Sequence, residues 1–355
     1  MSLKILPKRG LSDWVSRLIT EYRVVGPKLM KDQYIFGDIH SADDLALDYS
    51  TTILPPKKIL LPQRETLIQF DTASSSQPIE PFIETQATII LGVHTCDMHA
   101  ISLLDQIFLE GFPDQHYLAR RKNITLVSIE CLRSCSEHSF CKSMGTLSVP
   151  ETFDLHLTDL GNSYALETGS KKGSALLWSM SAVRDPTNGD YRQLQKVMSE
   201  KWQSFNYRLV FDITELPSLL ALSYDNTLWD EIGDRCLGCG ACTIVCPTCY
   251  CFNVIDEVDF SLHRGARSRV WDSCQLDRFA TVAGGHNFRV NRSDRQRHRF
   301  FRKGKYQMEA YGLVGCVGCG RCAQSCLVHI SPVEVFNELY RRQSPITSLE
   351  QEVTT

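Results

Sequence analysis

The sequence predicts an α+β (or α/β) N-terminal domain followed by a mainly helical C-terminal module organised around cysteine. Three observations carry this. Residues 87–93 and 124–129 are short, β-branched apolar runs, the pattern of buried strands. Leu103, Leu104, Ile107 and Phe108 recur between them at helical spacing, giving a strand–helix–strand order. Two cysteine runs of identical spacing then fall in the last third, Cys236-Leu-Gly-Cys239-Gly-Ala-Cys242-Thr-Ile-Val-Cys246-Pro247 and Cys316-Val-Gly-Cys319-Gly-Arg-Cys322-Ala-Gln-Ser-Cys326.

The elements follow in order. A first helix is expected over 12–22, with Ser12 as N-cap and Trp14, Val15, Leu18 and Ile19 as its buried face. Gly26-Pro27 closes that region. Residues 48–55 and 58–62 read as extended, proline-punctuated pieces, and 72–79 as a serine-rich loop. After the strand–helix–strand unit, a helix is expected over 192–205, and 216–230 connects to the C-terminal module. The last helix starts with Ser331 as N-cap, Pro332 as first helical residue and Glu334 completing a capping box, and Val333, Phe336, Leu339 and Tyr340 form its apolar face. The expected division is an N-terminal domain 1–225, a cysteine-rich domain 226–345 with an insertion at 252–313, and a mobile tail 346–355.

Composition narrows the function classes. With 355 residues, 43% hydrophobic and 22% charged, the chain is long enough for two cored domains of ordinary soluble type. A net charge of −3 argues against binding nucleic acid or a membrane surface by bulk electrostatics. No apolar stretch reaches spanning length. Residues 1–9 lack the apolar core of a signal peptide, so the 15 cysteines are expected in a reducing cytoplasm, as thiols available to metal.

Both runs read C-x2-C-x2-C-x3-C, the bacterial ferredoxin spacing for 4Fe–4S clusters. In that arrangement three thiolates wrap one cubane and the fourth reaches the other. Cys236, Cys239, Cys242 and Cys326 are thus expected around one cluster, and Cys316, Cys319, Cys322 and Cys246 around the second. Zinc sites use paired C-x2-C elements separated by a longer loop, and disulfide frameworks belong to small secreted chains. Gly238, Gly240, Gly318 and Gly320 let backbone N–H groups approach sulfur.

Seven cysteines remain. Cys96 follows the first strand and Cys131 the second, with Cys135 and Cys141 close behind. Adjacent strands would bring these loops to one sheet edge, so the four are candidates for a third cluster; zinc and plain reduced thiols stay open. The nearby His94, Asp97 and His138 read as structural. Cys249, Cys251 and Cys274 are too few for a cubane and are candidates for cluster neighbours or replacement ligands. The basic residues Arg292, Arg295, Arg297, Arg299, Arg302, Lys303 and Lys305 lie between the two runs. They are expected to stabilise anionic clusters or a partner, ahead of a solvated face or nucleic acid.

The chain also resembles the iron–sulfur beta subunit of cytoplasmic sulfhydrogenases (group 3 nickel–iron hydrogenases), a family shared with an iron–sulfur subunit of anaerobic sulfite reductase. The resemblance runs through Ile53-Leu-Pro-Pro-Lys-Lys58, Glu65-Thr-Leu67, Cys96-Asp97, Glu130-Cys131 and Phe140-Cys141-Lys-Ser-Met-Gly-Thr146. It continues through Cys246-Pro-Thr-Cys249-Tyr-Cys251-Phe252, Trp271-Asp-Ser-Cys274 and Ala283-Gly-Gly-His286-Asn287-Phe-Arg289. Two departures stand out. Ser139 occupies a position that is usually cysteine, where Cys135 could supply the ligand, and Leu327 follows Cys326 where proline is common.

The resemblance implies a non-catalytic electron-transfer subunit. Its partners would be a flavin- and NAD(P)-binding diaphorase subunit and a catalytic subunit of hydrogenase, sulfite reductase or heterodisulfide reductase type. The chain has no G-x-G-x-x-G fingerprint of its own. The alternative is a reductase whose N-terminal cluster binds a sulfur or thiol compound.

Overall fold

The computed structural model describes residues 3–73, 79–83 and 85–343. Most of the expected serine-rich loop and the whole tail 346–355 lie outside the described residues. The strands are β1 (Lys4–Pro7), β2 (Arg23–Met30), β3 (Gln33–Asp38), β4 (Arg64–Asp71), β5 (Ile79–Pro81), β6 (Thr88–His94), β7 (Ile124–Ile129), β8 (Leu155–Asp159), β9 (Ser163–Thr168), β10 (Phe252–Val258) and β11 (Arg264–Trp271).

Seven of them form one mixed sheet in the order β1-β9-β8-β7-β6-β2-β3. Its centre, β2-β6-β7-β8, is parallel, and the outer pairs are antiparallel. Every residue of β6 is buried, as its unbroken apolar run requires of a strand covered on both faces. Ile89 and Leu91 pack with Trp14, Leu18 and Leu155 on one face, and Ile90 and Val93 with Ile101, Leu104 and Tyr117 on the other. The alternation slips at Gly92, where φ is +80° and the register shifts against β7. This bulge re-aims His94 at the strand's end.

Several boundaries differ from expectation. The first helix runs Arg9–Glu21 with Lys8 as an uncapping N-cap residue, so Ser12 lies inside it. The unforeseen strand β1 leads directly into it, and the Lys8 amide donates to the Asn162 carbonyl at 3.1 Å, so tertiary pairing sets the start. Residues 57–60, within and beside the 58–62 segment expected extended, form one helical turn behind Pro56, a residue preset for a helix start. The helix expected over 192–205 runs Asn188–Lys201, opened by a Thr187/Asp190 capping box. The connection 216–230 contains helix Leu216–Leu222 and the start of Leu228–Arg235.

The C-terminal part is mixed rather than mainly helical. Helices Leu228–Arg235, Arg292–Phe301 and Pro332–Gln343 share a core of Trp229, Phe300, Phe301 and Phe336. Residues 252–271, however, form the β10–β11 hairpin, which pairs with β4 in a four-stranded antiparallel sheet, β10-β11-β4-β5. Charge organises this sheet, so no apolar run announces it. Arg269 on β11 is buried against Glu65 of β4 and Asp114, and Arg267 pairs with Asp256 at 2.7 Å. The second sheet therefore draws strands from both sides of the boundary expected near Asp225.

Candidate metal centres

The two cysteine runs adopt the same local shape. Gly238 and Gly318 have φ of +66° and +69°, and Gly240 and Gly320 have φ of +79° and +76°. These are left-handed conformations that glycine takes without penalty. Each run then enters a single helical turn, Ala241–Ile244 and Arg321–Gln324, and the two turns lie against each other. Two equivalent cradles thus face one another, as shared ligands require.

The crossed sets come together in space. Cys236, Cys239, Cys242 and Cys326 line one small cavity. The Gly238 amide donates to Cys236 Sγ at 3.3 Å, Gln296 Nε2 donates to it at 3.0 Å, and the Ile330 amide donates to Cys326 Sγ at 3.3 Å. Cys316, Cys319 and Cys322 each sit in the electrostatic neighbourhood of Cys246. Burial pushes the Cys242 and Cys319 thiols up to about 12. Cys239 is exposed, so the first set reaches the surface.

The basic stretch provides the test of what these thiols hold. Helix Arg292–Phe301 and the wide turn Arg302–Tyr306 line up four polar side chains toward the cysteines. Arg292 donates to the Cys236 carbonyl at 2.8 Å. Arg299 is buried beside Cys242 and Cys322, and Lys303 beside Cys246, Cys249 and Cys316. Burial favours the neutral form of each, and negative charge on the neighbouring sulfurs pulls the other way and raises both groups.

A third cation, Lys57, reaches in from the other half and donates to the carbonyls of Cys246 and Cys249 at 2.9 and 2.7 Å, with its ammonium 4.1 Å from the Trp271 ring centroid. Burial lowers its pKa to about 8, against the pull of Cys249 and Cys246. Among the described residues, no carboxylate pairs with Arg299, Lys303 or Lys57; their hydrogen bonds go to Gln296, to Thr248 and to backbone carbonyls. Buried cations without counter-charge are costly. Thiolate-ligated iron–sulfur clusters, which are anions, fit this arrangement.

The N-terminal cysteines also converge. His94 of β6 is opposite Ile129 of β7, so Cys96 and Cys131 each lie two residues beyond a paired position at the same sheet edge. Cys96, Cys131 and Cys141 pack in one buried group with Val317, and Cys319 lies against it. Cys135 is within the neighbourhood of Cys131, Cys96 and Cys141. Ser139, at the usual cysteine position, bonds the Ser136 hydroxyl at 3.1 Å.

The loop carrying Cys141 docks on the second run backbone to backbone. The Phe140 amide donates to the Gly318 carbonyl at 2.8 Å, and Thr146 Oγ1 donates to the Val317 carbonyl at 2.7 Å. A Cβ on Gly318 would lie 2.6 Å from Cys141 Cα. The candidate third centre therefore abuts the second.

Several participating residues carry no ligand signal in the sequence. His94 is in contact with the third group: its Nδ1 is 3.5 Å from Cys135 Sγ, and the donor atoms of His94, Cys131 and Cys135 lie within 4.8 Å of one another. Burial, with Arg321 nearby, pushes its pKa down to about 3. Asp97 forms a buried two-bond pair with Arg321 at 2.6 and 2.7 Å, joining the sheet to the second run. Buried Lys201 bonds Glu130 at 2.7 Å, and Glu130 accepts the Cys131 amide at 2.9 Å. Among these, only the adjacency of Asp97 to Cys96 and of Glu130 to Cys131 is visible in the sequence.

The three remaining cysteines lie next to the ligand sets. Cys249 is paired with Cys246, and Cys251 with Cys274. The hydrogen bond from Cys251 pushes Cys274 down to about 6 against burial. His138 Nε2 lies 3.7 Å from the Glu137 carboxylate.

Comparison with known proteins agrees with this geometry. A family model described as a 4Fe–4S dicluster domain matches residues 235–330. The chain is 36% identical over 329 residues to sulfhydrogenase 2 subunit beta of Pyrococcus furiosus, covering 92% of this chain and 95% of that protein. No solved structure matches. The identity spans both halves, including the N-terminal sheet that the dicluster model leaves out, and on that basis the chain belongs to the sulfhydrogenase beta-subunit family.

Proposed function

We propose that this chain is the electron-transfer iron–sulfur subunit of a cytoplasmic redox complex. The 4Fe–4S clusters supply one-electron redox chemistry when bound. Cys236, Cys239, Cys242 and Cys326 hold the first and Cys316, Cys319, Cys322 and Cys246 the second, within a dicluster module at 226–345. Cys96, Cys131, Cys135 and Cys141 hold a third. The carrying observation is the row of buried cations, Arg299, Lys303 and Lys57, which face thiols and, among the described residues, no carboxylate.

The ligand groups lie in sequence from exposed Cys239 through the second run to the sheet edge. This suits a relay between two partner surfaces. A flavin- and NAD(P)-binding diaphorase subunit and a catalytic subunit of hydrogenase, sulfite reductase or heterodisulfide reductase type are the proposed partners. Among the described residues, no helix is long and apolar enough to cross a membrane.

Anaerobic iron counting with EPR of the reduced chain tests this. About twelve irons are expected, and fewer than about eight would refute even the C-terminal pair.

A second reading has one specific observation behind it. A cavity of about 460 Å³ opens beside His94, Cys131 and Cys135. That volume lies in the range of small-molecule sites, and it suits a reductase acting on a sulfur or thiol compound. Turnover by the isolated chain with a chemical reductant, lost in Cys96→Ala, would support it.

A further inference from the structure

The N-terminal centre has five donors for four ligand positions, and the surplus lies on one wall. Cys96, Cys131 and Cys141 are buried and packed among Leu147 and Val317. Cys135 is only half-buried, and it lines the 460 Å³ cavity together with His94 and buried Cys131, whereas Cys96 and Cys141 do not. Cys135 Sγ and His94 Nδ1 are 3.5 Å apart. Two donors at that separation span about one edge of a metal tetrahedron, so a single metal ion lies within reach of both. The imidazole is held rigidly in place. Tyr49 stacks on it at 4.0 Å between centroids and 7° between planes, and the Tyr49 hydroxyl donates to the Gly92 carbonyl at 2.8 Å.

We propose that the cavity-facing ligand position of the N-terminal centre is exchangeable, held by the Cys135 thiolate and taken over by the His94 imidazole when Cys135 leaves. The inference rests on the cluster reading of this site. The exchange is redox-neutral. In it the bond from iron to Cys135 Sγ would break, a bond to the Nδ1 lone pair of neutral His94 would form, and the released thiolate would take a proton from bulk solvent. Replacing a thiolate with an imidazole removes one negative charge from the iron's surroundings. The potential therefore rises, in the direction seen when histidine replaces cysteine at two-iron centres. The centre would thus have two potentials, selected by whatever enters the cavity or reacts with Cys135.

The test is anaerobic metal analysis and pulsed EPR on the full chain and on Cys135→Ala, His94→Ala and the double variant. The signals of the two C-terminal centres report whether each variant is folded. Cys135→Ala should keep about twelve irons, gain the coupling of a directly coordinated nitrogen and titrate at a higher potential. His94→Ala should keep the full count without nitrogen coupling, and the double variant should fall to about eight irons. Loss of four irons in Cys135→Ala alone overturns the proposal, and so does a full count without nitrogen coupling. A wild-type chain with about eight irons, or with zinc in place of the remainder, instead overturns the N-terminal cluster itself. That result is read before any variant is made.

Discussion

Neutralising Asp97 should loosen the joint between the N-terminal sheet and the second cysteine run by about 3 kcal/mol. Asp97 and Arg321 are 0% and 2% exposed at their side chains, and two hydrogen bonds of 2.6 and 2.7 Å join them. Removing one partner of such a pair leaves the other charge buried without compensation, which typically costs ~3–5 kcal/mol. Asp97→Asn belongs at the lower end, because Arg321 keeps contacts to the Thr52 carbonyl at 2.9 Å and its hydroxyl at 3.3 Å. Arg321→Met strands a carboxylate with no such fallback and belongs at the upper end. Replacing both, as Asp97→Leu with Arg321→Met, should cost less than either single change, because no orphan charge remains.

The assay is an anaerobic urea titration of each variant at matched iron content, comparing midpoints at common slope. Cofactor-loaded chains often depart from two-state unfolding, so differences between variants are the quantity to read. A loss below about 1 kcal/mol in Asp97→Asn, or a double variant as damaged as the sum of the singles, would refute the reasoning.

Three further outcomes follow. Arg299→Gln should lower the potentials of both C-terminal centres; one charge at roughly 8 Å and an effective dielectric of ~20 is worth about 2 kcal/mol, or ~90 mV. Spectropotentiometry checks this, and shifts under about 20 mV at both centres would contradict the placement of Arg299. Gly318→Ala should lose iron from the second C-terminal centre and the N-terminal group together, because its φ is +69° within the second run and its Cβ would meet the Cys141 backbone at 2.6 Å; an unchanged EPR spectrum and iron count would count against that docking. Asp114 should tie the composite sheet together in a pH-dependent way. Burial opposes its ionisation, but the Tyr117 amide and Arg269 outweigh it and hold the carboxyl below its ordinary value of 3.8. Its contribution is therefore present above about pH 4 and fades as pH falls through the lowered value. Asp114→Ala should cost about 2 kcal/mol at pH 7 and flatten the acid limb of the stability profile; a parallel limb would refute it.

What the sequence makes legible divides along physical lines. Strands β6 and β7 carry their own signal, because a doubly covered strand is apolar along its whole length, and their expected bounds agree with the structure to within a residue. The two cysteine runs are legible because cluster spacing is short-range geometry encoded within each run, and both fall inside the matched dicluster domain. The β10–β11 hairpin is not, because charge pairs stabilise it, Arg267 with Asp256 inside the hairpin and Arg269 with Glu65 from a distant strand. Its alternation of charge reads as a basic insertion. His94 gives no signal for a related reason. Whether a histidine at a strand end is a ligand depends on what the Gly92 bulge and a loop some 40 residues later bring against it, and neither is periodic.

The distribution of compensated and uncompensated charge sets an order among the two C-terminal centres and the proposed N-terminal one. Near the C-terminal pair, Arg299, Lys303 and Lys57 have no carboxylate partner among the described residues, so their full charge acts on the clusters. Around the N-terminal group the cations are already neutralised: Arg321 by Asp97, Lys201 by Glu130 and Arg133 by Asp48. An all-cysteine N-terminal centre is therefore expected to have the lowest potential of the three, since these nearby cations are already balanced by carboxylates. Stepwise anaerobic reduction followed by EPR should populate the C-terminal signals first and the N-terminal signal last. Electrons entering at the sheet edge would then run downhill toward exposed Cys239. If the N-terminal signal appears first in the wild-type chain, either the charge argument fails or His94 already holds the cavity-facing position. Nitrogen coupling in that same spectrum decides between the two.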